Sequence, residues 1–239
     1  MDRLCQLATL GAAAALDGVA APTDRTRAGV IIGSAFGAHL SNQLFYSRLL
    51  AEGAEAASPT AFAYTLASAA AAELSLQLGL AGPTFTLAQG PTAGLAALAL
   101  ASEQIDDGRA DWMLVGGADV SSGALVAAMP DDALTEAAVF FVLTRERTDG
   151  SLARVAGSGA SRRRDGRERA MAQALARAGL AGEGVETVVA PPTTAAEPLW
   201  RLTDSALLRS ADGDKTPMVI VVDDPRAGSR ALCLRPPDA

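Results

Sequence analysis

The chain is poor in the residues that most enzymes use for acid–base and nucleophilic chemistry. Of its 239 residues one is histidine, His39, and two are cysteines, Cys5 and Cys233, at opposite ends. Two cysteines in a domain of this size make no disulfide framework. Lys215 is the only lysine among 20 basic residues, a bias we read as genomic composition. Positive charge is in deficit: the net charge is -7. An acidic surface argues against duplex DNA or an anionic membrane as the main partner. No run of about 18 apolar residues lacks a charged or polar break, so no membrane span is expected. Met1-Asp2-Arg3-Leu4 leads into an alanine-rich stretch too polar and too interrupted for a secretory signal. These absences set the expectation of a soluble protein in a reducing, cytoplasmic compartment. No GxxxxGK pattern or GxGxxG fingerprint occurs at Gly116-Gly117, which reads as a strand-end turn and not a phosphate loop. No cofactor and no metal is expected.

What is present is aliphatic. Apolar residues make up 49% but aromatics only 4%, and alanine is very common. A core of Ala, Leu and Val packs closely and leaves little bulk for large buried rings. The length suffices for one large domain or two small ones. Helical spacing of apolar residues covers 4–16, 40–51, 60–78, 92–105, 170–178 and 198–208. Pro59 near the first turn and Gly79 after the last residue bound the 60–78 helix. Short apolar runs at 29–34, 84–88, 112–115, 137–144, 187–189, 218–222 and 231–234 read as strands, with 152–158 as the hairpin neighbour of 137–144. Strands that alternate with helices indicate an α/β protein with covered sheets. The arginine-rich stretch Arg162-Arg163-Arg164-Asp165-Gly166-Arg167-Glu168-Arg169 reads as a solvated loop and helix start, as a boundary between two halves, or as a docking patch for an acidic carrier protein.

Four segments carry a further signal. They are Gly29-Val30-Ile31-Ile32-Gly33-Ser34 with Phe36-Gly37, then Ser58-Pro59-Thr60-Ala61-Phe62, then Thr84-Phe85-Thr86-Leu87-Ala88-Gln89-Gly90-Pro91-Thr92-Ala93-Gly94-Leu95, then Trp112-Met113-Leu114-Val115-Gly116-Gly117-Ala118-Asp119. In this order and spacing, over residues 28–145, they resemble the β-ketoacyl synthase family of the thiolase fold. Val185-Glu186-Thr187-Val188-Val189-Ala190-Pro191-Pro192-Thr193-Thr194 is similar to the family's histidine loop, and Ala231-Leu232-Cys233-Leu234-Arg235 to its final strand. The resemblance implies a thiolase-like layered αβαβα architecture in one domain, 1–239. Residues 1–160 form its N-terminal half and 161–239 a compressed C-terminal half; the family's first strand is missing.

The same resemblance exposes a vacancy. Condensation needs a nucleophile that holds an acyl group, and groups that support loss of CO2 and stabilise the carbanion. In the family a cysteine sits at a strand-to-helix turn, where the helix N-terminus lowers its pKa, and two histidines do the rest. Aligned on Gly94-Leu95, the cysteine position falls on Pro91; if the turn is shifted, on Gly90 or Gln89. The expected histidine aligns with Pro191. His39 reads as an ordinary loop or helix-start residue, and Cys5 and Cys233 as buried small hydrophobes. A two-histidine site is impossible in one such chain, so no catalytic residue is assigned and the chain is not expected to be an enzyme.

Ketosynthase relatives that lack the cysteine resemble this chain, and pair with an active ketosynthase as chain length factors. The resemblance implies a heterodimer served by an acyl carrier protein. The strand of Thr84, Phe85, Thr86, Leu87 and Ala88 would then lie at the subunit interface. Phe62, Leu66, Ala69 and Glu73 would lie near the end of the partner's acyl tunnel, with Leu66, Ala69 and Glu73 on one face of the 60–78 helix. Shortness and degeneracy are similar to the chain length factors of highly reducing systems that make polyenes and aryl polyenes. Two rival readings stand beside this one: a decarboxylating ketosynthase-like enzyme that uses Gln89, and a partner that only stabilises the active subunit. A free monomeric binding module is a third.

Overall fold

The apolar runs sort into two four-stranded sheets in the computed structural model, which describes residues 1–17, 19, 21–129, 134–148, 150–163 and 165–237. The first sheet holds β1 (Ala28–Ser34), β2 (Thr84–Ala88), β3 (Trp112–Asp119) and β4 (Ala137–Thr144) in the order β2-β1-β3-β4. β1 runs parallel to both neighbours, and β4 runs antiparallel to β3. The second sheet holds β5 (Arg154–Ser161), β6 (Glu186–Ala190), β7 (Met218–Asp224) and β8 (Gly228–Arg235) in the order β5-β8-β7-β6. There β6 and β7 are parallel, and β8 is antiparallel to both its neighbours.

Strand alternation decides which helix covers which face. Val30 and Ile32 of β1 turn outward with Trp112 and Leu114 of β3, and meet α1 (Arg3–Leu16) and α4 (Ala69–Leu78) through Leu4, Cys5, Ala8, Ala70, Ala71 and Leu74. Ile31, Met113 and Val115 turn inward, onto α5 (Ala93–Asp106) and α8 (Glu197–Asp212). From the other side, Ile220, Val222, Leu232 and Leu234 close the same central layer. Val219, Val221, Ala231 and Cys233 face away from it and are covered by Ala170 and Ala174 of α7 (Gly166–Arg177). The order of layers is α1 with α4, first sheet, α5 with α8, second sheet, α7. The expected αβαβα architecture is what the chain adopts. The remaining helices, α2 (His39–Glu52), α3 (Pro59–Ala63) and α6 (Gly123–Ala128), lie in the connections. No helix among the described residues is long and apolar enough to cross a membrane.

Three expectations are corrected. The 60–78 helix is two helices. Ser58 caps α3 by accepting from the Ala61 amide at 3.2 Å. The Tyr64 and Thr65 amides then bond back three residues, to Ala61 and Phe62, and the Thr65 hydroxyl also donates to the Phe62 carbonyl at 2.7 Å. These i to i−3 bonds end the α-helical pattern, and the helix restarts only at Ala69. Leu66 therefore sits in the break, and shares no continuous helical face with Ala69 and Glu73. Second, the 152–158 strand is no hairpin partner of 137–144: as β5 it joins the other sheet and pairs antiparallel with β8. The strands change sheets between residues 144 and 154, ahead of the arginine-rich stretch; Arg164 lies outside the described residues. Third, Gly116-Gly117 is no turn but the middle of β3, which runs on to Asp119.

Candidate functional site

The bend after β2 forms because the chain must pass from an edge strand into the buried central helix within four residues. Gln89 leaves the strand at φ -129°, and Gly90 turns the chain at φ 66°, a left-handed conformation that favours glycine. Gly90–Thr92 is one tight turn that leads into α5. The Thr92 hydroxyl donates to the Gln89 carbonyl at 3.1 Å and fixes the turn. Gln89 is exposed, and Gly90 and Pro91 are half-buried.

Two segments of the C-terminal half close over this bend. The hairpin between β7 and β8 lays Ala227 against it: a Cβ at Gly90 would stand 3.2 Å from the Ala227 methyl. The loop that begins at Pro191 runs from β6 to α8 and lays Ala195 on the first turn of α5. A Cβ at Gly94 would stand 2.0 Å from the Ala195 carbonyl oxygen, and one at Gly117 would stand 2.6 Å from the same atom. Only glycine permits this approach. Gly94→Val is expected to cost at least about 2 kcal/mol, read as a lowered thermal midpoint; an unchanged midpoint would contradict the contact.

Asp119, at the end of β3, ties the loop to the first sheet. Its carboxylate accepts from the Ser34 hydroxyl at 2.7 Å, the Ala35 amide at 2.8 Å, the Phe36 amide at 3.2 Å and the Ala195 amide at 2.7 Å. The residue is 1% exposed. Burial raises its pKa above the ordinary carboxylate value, against the opposing pull of the four donors. In the sequence Asp119 stands only as the last residue of the Trp112–Asp119 motif. The signal available was an acidic residue closing a wholly apolar strand, which must find donors when buried.

The fold thus brings the degenerate nucleophile turn, Gln89, Gly90 and Pro91, and the loop that follows Pro191 to the same helix end. It brings no thiol and no imidazole there. Cys5 lies on α1 in the outermost layer, where burial pushes its thiol pKa well up. Cys233 lies on β8 and faces α7, its pKa likewise raised by burial. His39 is exposed at the start of α2. Among the described residues, no group of three histidine, cysteine, aspartate or glutamate side chains gathers to hold a metal. Among the described residues, the side chains at the bend offer the Gln89 carboxamide and the Thr92 hydroxyl, and no thiol.

The residues assigned to the tunnel separate. Leu66 and Phe62 are each 55% exposed, and the Phe62 ring lies 5.7 Å from that of Phe45. The turn at 64–68 sits beside the bend: a Cβ at Gly37 would stand 3.4 Å from the Ala67 methyl and 4.0 Å from that of Ala88. Ala69 packs half-buried against the outer layer, and Glu73 accepts from the Tyr64 hydroxyl at 2.9 Å. β2 is an edge of its sheet, with Thr84, Phe85 and Ala88 exposed and Phe85 at 42%. Thr86 Oγ1 is buried there without a hydrogen-bond partner among the described residues. Leu87 turns half-buried towards the central layer.

The family model for the β-ketoacyl synthase N-terminal domain matches residues 1–135. Nodulation protein E of Rhizobium sp. (strain N33) is 36% identical over 122 residues, which cover 50% of this chain and 30% of that protein. The chain therefore aligns with less than a third of that relative's length. Among solved structures, the ishigamide ketosynthase/chain length factor superposes with a TM-score of 0.83 at 22% identity, over 99% of this chain and 81% of that one. A type II polyketide synthase acyl-carrier protein in complex with its ketosynthase bound to the hexaketide gives 0.81 at 13% identity, over 98% and 85%. At these identities the two structures show a shared fold.

Proposed function

Because this chain belongs to the β-ketoacyl synthase family, we propose that it is the non-catalytic, chain length factor-like half of a ketosynthase heterodimer. One observation carries the proposal. At the bend where the resemblance implies an acyl thioester stand Gln89, Gly90 and Pro91, walled by Ala227 and Ala195, and the chain's one histidine lies on the surface. Acyl transfer and decarboxylative condensation then fall to an active ketosynthase subunit, supplied by an acyl carrier protein. The likeness of fold to a ketosynthase/chain length factor pair supports this reading.

The exposed edge of β2 is the part of this chain best suited to meet a partner. An open edge strand offers unpaired backbone groups, and Phe85, Leu66 and Phe62 add apolar area beside it. In this reading Leu66 and Phe62 stand where a growing chain ends, and act as a steric ruler: bulk halts the chain and space lets it extend. Ala69 and Glu73, held towards the outer layer, set the position of that wall. The expected product class is a polyene or aryl polyene. Leu66→Trp in the heterodimer is expected to shorten the product by one or more two-carbon units, read by mass spectrometry. Unchanged length in an intact heterodimer would remove Leu66 from the ruler and favour a partner that only stabilises the active subunit.

A further inference from the structure

We infer that the open edge of β4 is an interface at which a second copy of this chain pairs, strand to strand, about a two-fold axis. The four edge strands of the two sheets are not equally guarded. β5 is bent by a bulge between Val155 and Gly157; Arg177 donates to its Ser158 carbonyl at 2.9 Å, and Gln173 accepts from its Ala160 amide at 3.1 Å. β6 is five residues long and opens on Glu186, which Arg209 holds. β2 is also five residues long and contains Thr84 and Thr86. β4 is eight residues, Ala-Ala-Val-Phe-Phe-Val-Leu-Thr, with no charge and no proline, in unbroken register with β3. Among the described residues its backbone bonds to β3 and to no other segment. A long, flat, uncharged edge is a template for another strand.

The sequence of β4 suits a copy of itself. Alternation turns Val139, Phe141 and Leu143 to the central layer, and Ala138, Phe140 and Val142 to the outer one. An antiparallel copy keeps both faces matched when the axis passes through a residue. Phe141 is half-buried and has ring surface free to meet its own copy, whereas Phe140 is already covered beside Gly11 of α1. Centred on Phe141, the pairing also sets Val139 against Leu143 and Phe140 against Val142, all apolar. Glu136 and Glu146 fall opposite each other just beyond the strand ends, where Arg3 neutralises Glu136.

The helix beneath agrees. α8 packs under β3 and β4 and buries Leu199, Leu202 and Ala206, so Trp200, Asp204 and Leu207 share the face turned away from the core. Trp200 is 61% exposed and Leu207 52%. Paired strands lie about 4.8 Å apart, so an axis at the β4 edge sets α8 and its copy antiparallel and about 10 Å apart, the spacing of packed helices. Trp200 of one copy then meets Leu207 of the other. Arg201, held on its own helix by Glu197, comes within reach of Asp204 of the other copy, and Asp204 has no ion pair among the described residues. β4 and β2 are opposite edges of one sheet. The contact is therefore independent of the partner-subunit reading and compatible with it: both together give a 2:2 assembly with two copies of this chain at its centre.

The test is sedimentation velocity on the purified full chain, native and W200E/L207E, at up to about 100 μM. The native chain is expected at twice the mass of one copy. The double variant is expected to dissociate at least about tenfold more readily, with an unchanged circular dichroism spectrum. Phe141→Cys is expected to cross-link two copies under mild oxidation, because residues opposed in an antiparallel pair stand about 4.5–5.5 Å apart. Adding the active ketosynthase is expected to give the 2:2 complex. A native chain that stays monomeric throughout would overturn the contact. So would a dimer that is indifferent to W200E/L207E and that Phe141→Cys does not cross-link, or one that the ketosynthase converts into 1:1 heterodimers, which would assign the self-contact to β2.

Discussion

Asp119→Ala is expected to strip the chain of a large part of its stability. The substitution leaves the Ser34 hydroxyl and the Ala35 and Ala195 amides buried or part-buried without an acceptor. Each such donor costs about 1–3 kcal/mol, so the sum is at least about 3 kcal/mol, against a total of about 5–15 kcal/mol for a folded domain. The loss also removes the bond that fixes the Ala195 amide to the end of β3. Urea unfolding measures it, and a loss below about 1 kcal/mol would contradict the clamp. Asp119→Asn keeps the shape but turns an amide N–H towards a donor, and is expected to cost about 1–3 kcal/mol. The sign of the pH effect follows from the raised pKa. The folded carboxyl keeps its proton to a higher pH than the unfolded one, which titrates near about 4. Its contribution to stability is whole below that value and is lost as pH rises towards the folded value. The gap between native and Asp119→Asn midpoints should therefore narrow as pH rises above about 4.

Much of the fold is legible because periodicity is local. Ile31 against Val30 and Ile32, or Val221 against Ile220 and Val222, announce two-sided buried strands, and α1 and α5 follow from alanine and leucine at helical spacing. The vacancy at the bend is legible for a simpler reason. A chain with one histidine cannot supply two, whatever its fold. What escapes is non-local or aperiodic. The break at 64–68 carries no breaker residue; there the Thr65 amide and hydroxyl both bond to the Phe62 carbonyl. The pairing of β5 with β8 spans the whole C-terminal half. The Asp119 clamp joins the ends of β1 and β3 to a loop 76 residues away, and the closure of Ala227 over Gly90 joins two halves of the chain. No window of sequence contains either contact. The site is thus readable as a list of missing groups, and the walls around it only from the structure.

Catalytic silence of the isolated chain is the largest effect expected. A thiolate is the attacking species in acyl transfer, and a position without one forfeits the covalent step outright. Adding a sulfur does not repair the bend. Pro91→Cys would place a thiol at the start of α5 with no base to activate it and no donor pair to support the carbanion, and Gly90→Cys would meet both the left-handed φ and the Ala227 methyl. Residues that act as a unit are not restored one at a time. Neither variant is expected to gain turnover.

The decisive measurement is condensation and CO2 release by the purified chain given acyl- and malonyl-loaded carrier protein, first alone and then with its active ketosynthase. The partner-subunit account predicts no extended product and no CO2 from the chain alone, with both appearing once the ketosynthase is added. Extension of an acyl thioester by the isolated chain, or CO2 released through Gln89 without a partner, would contradict it.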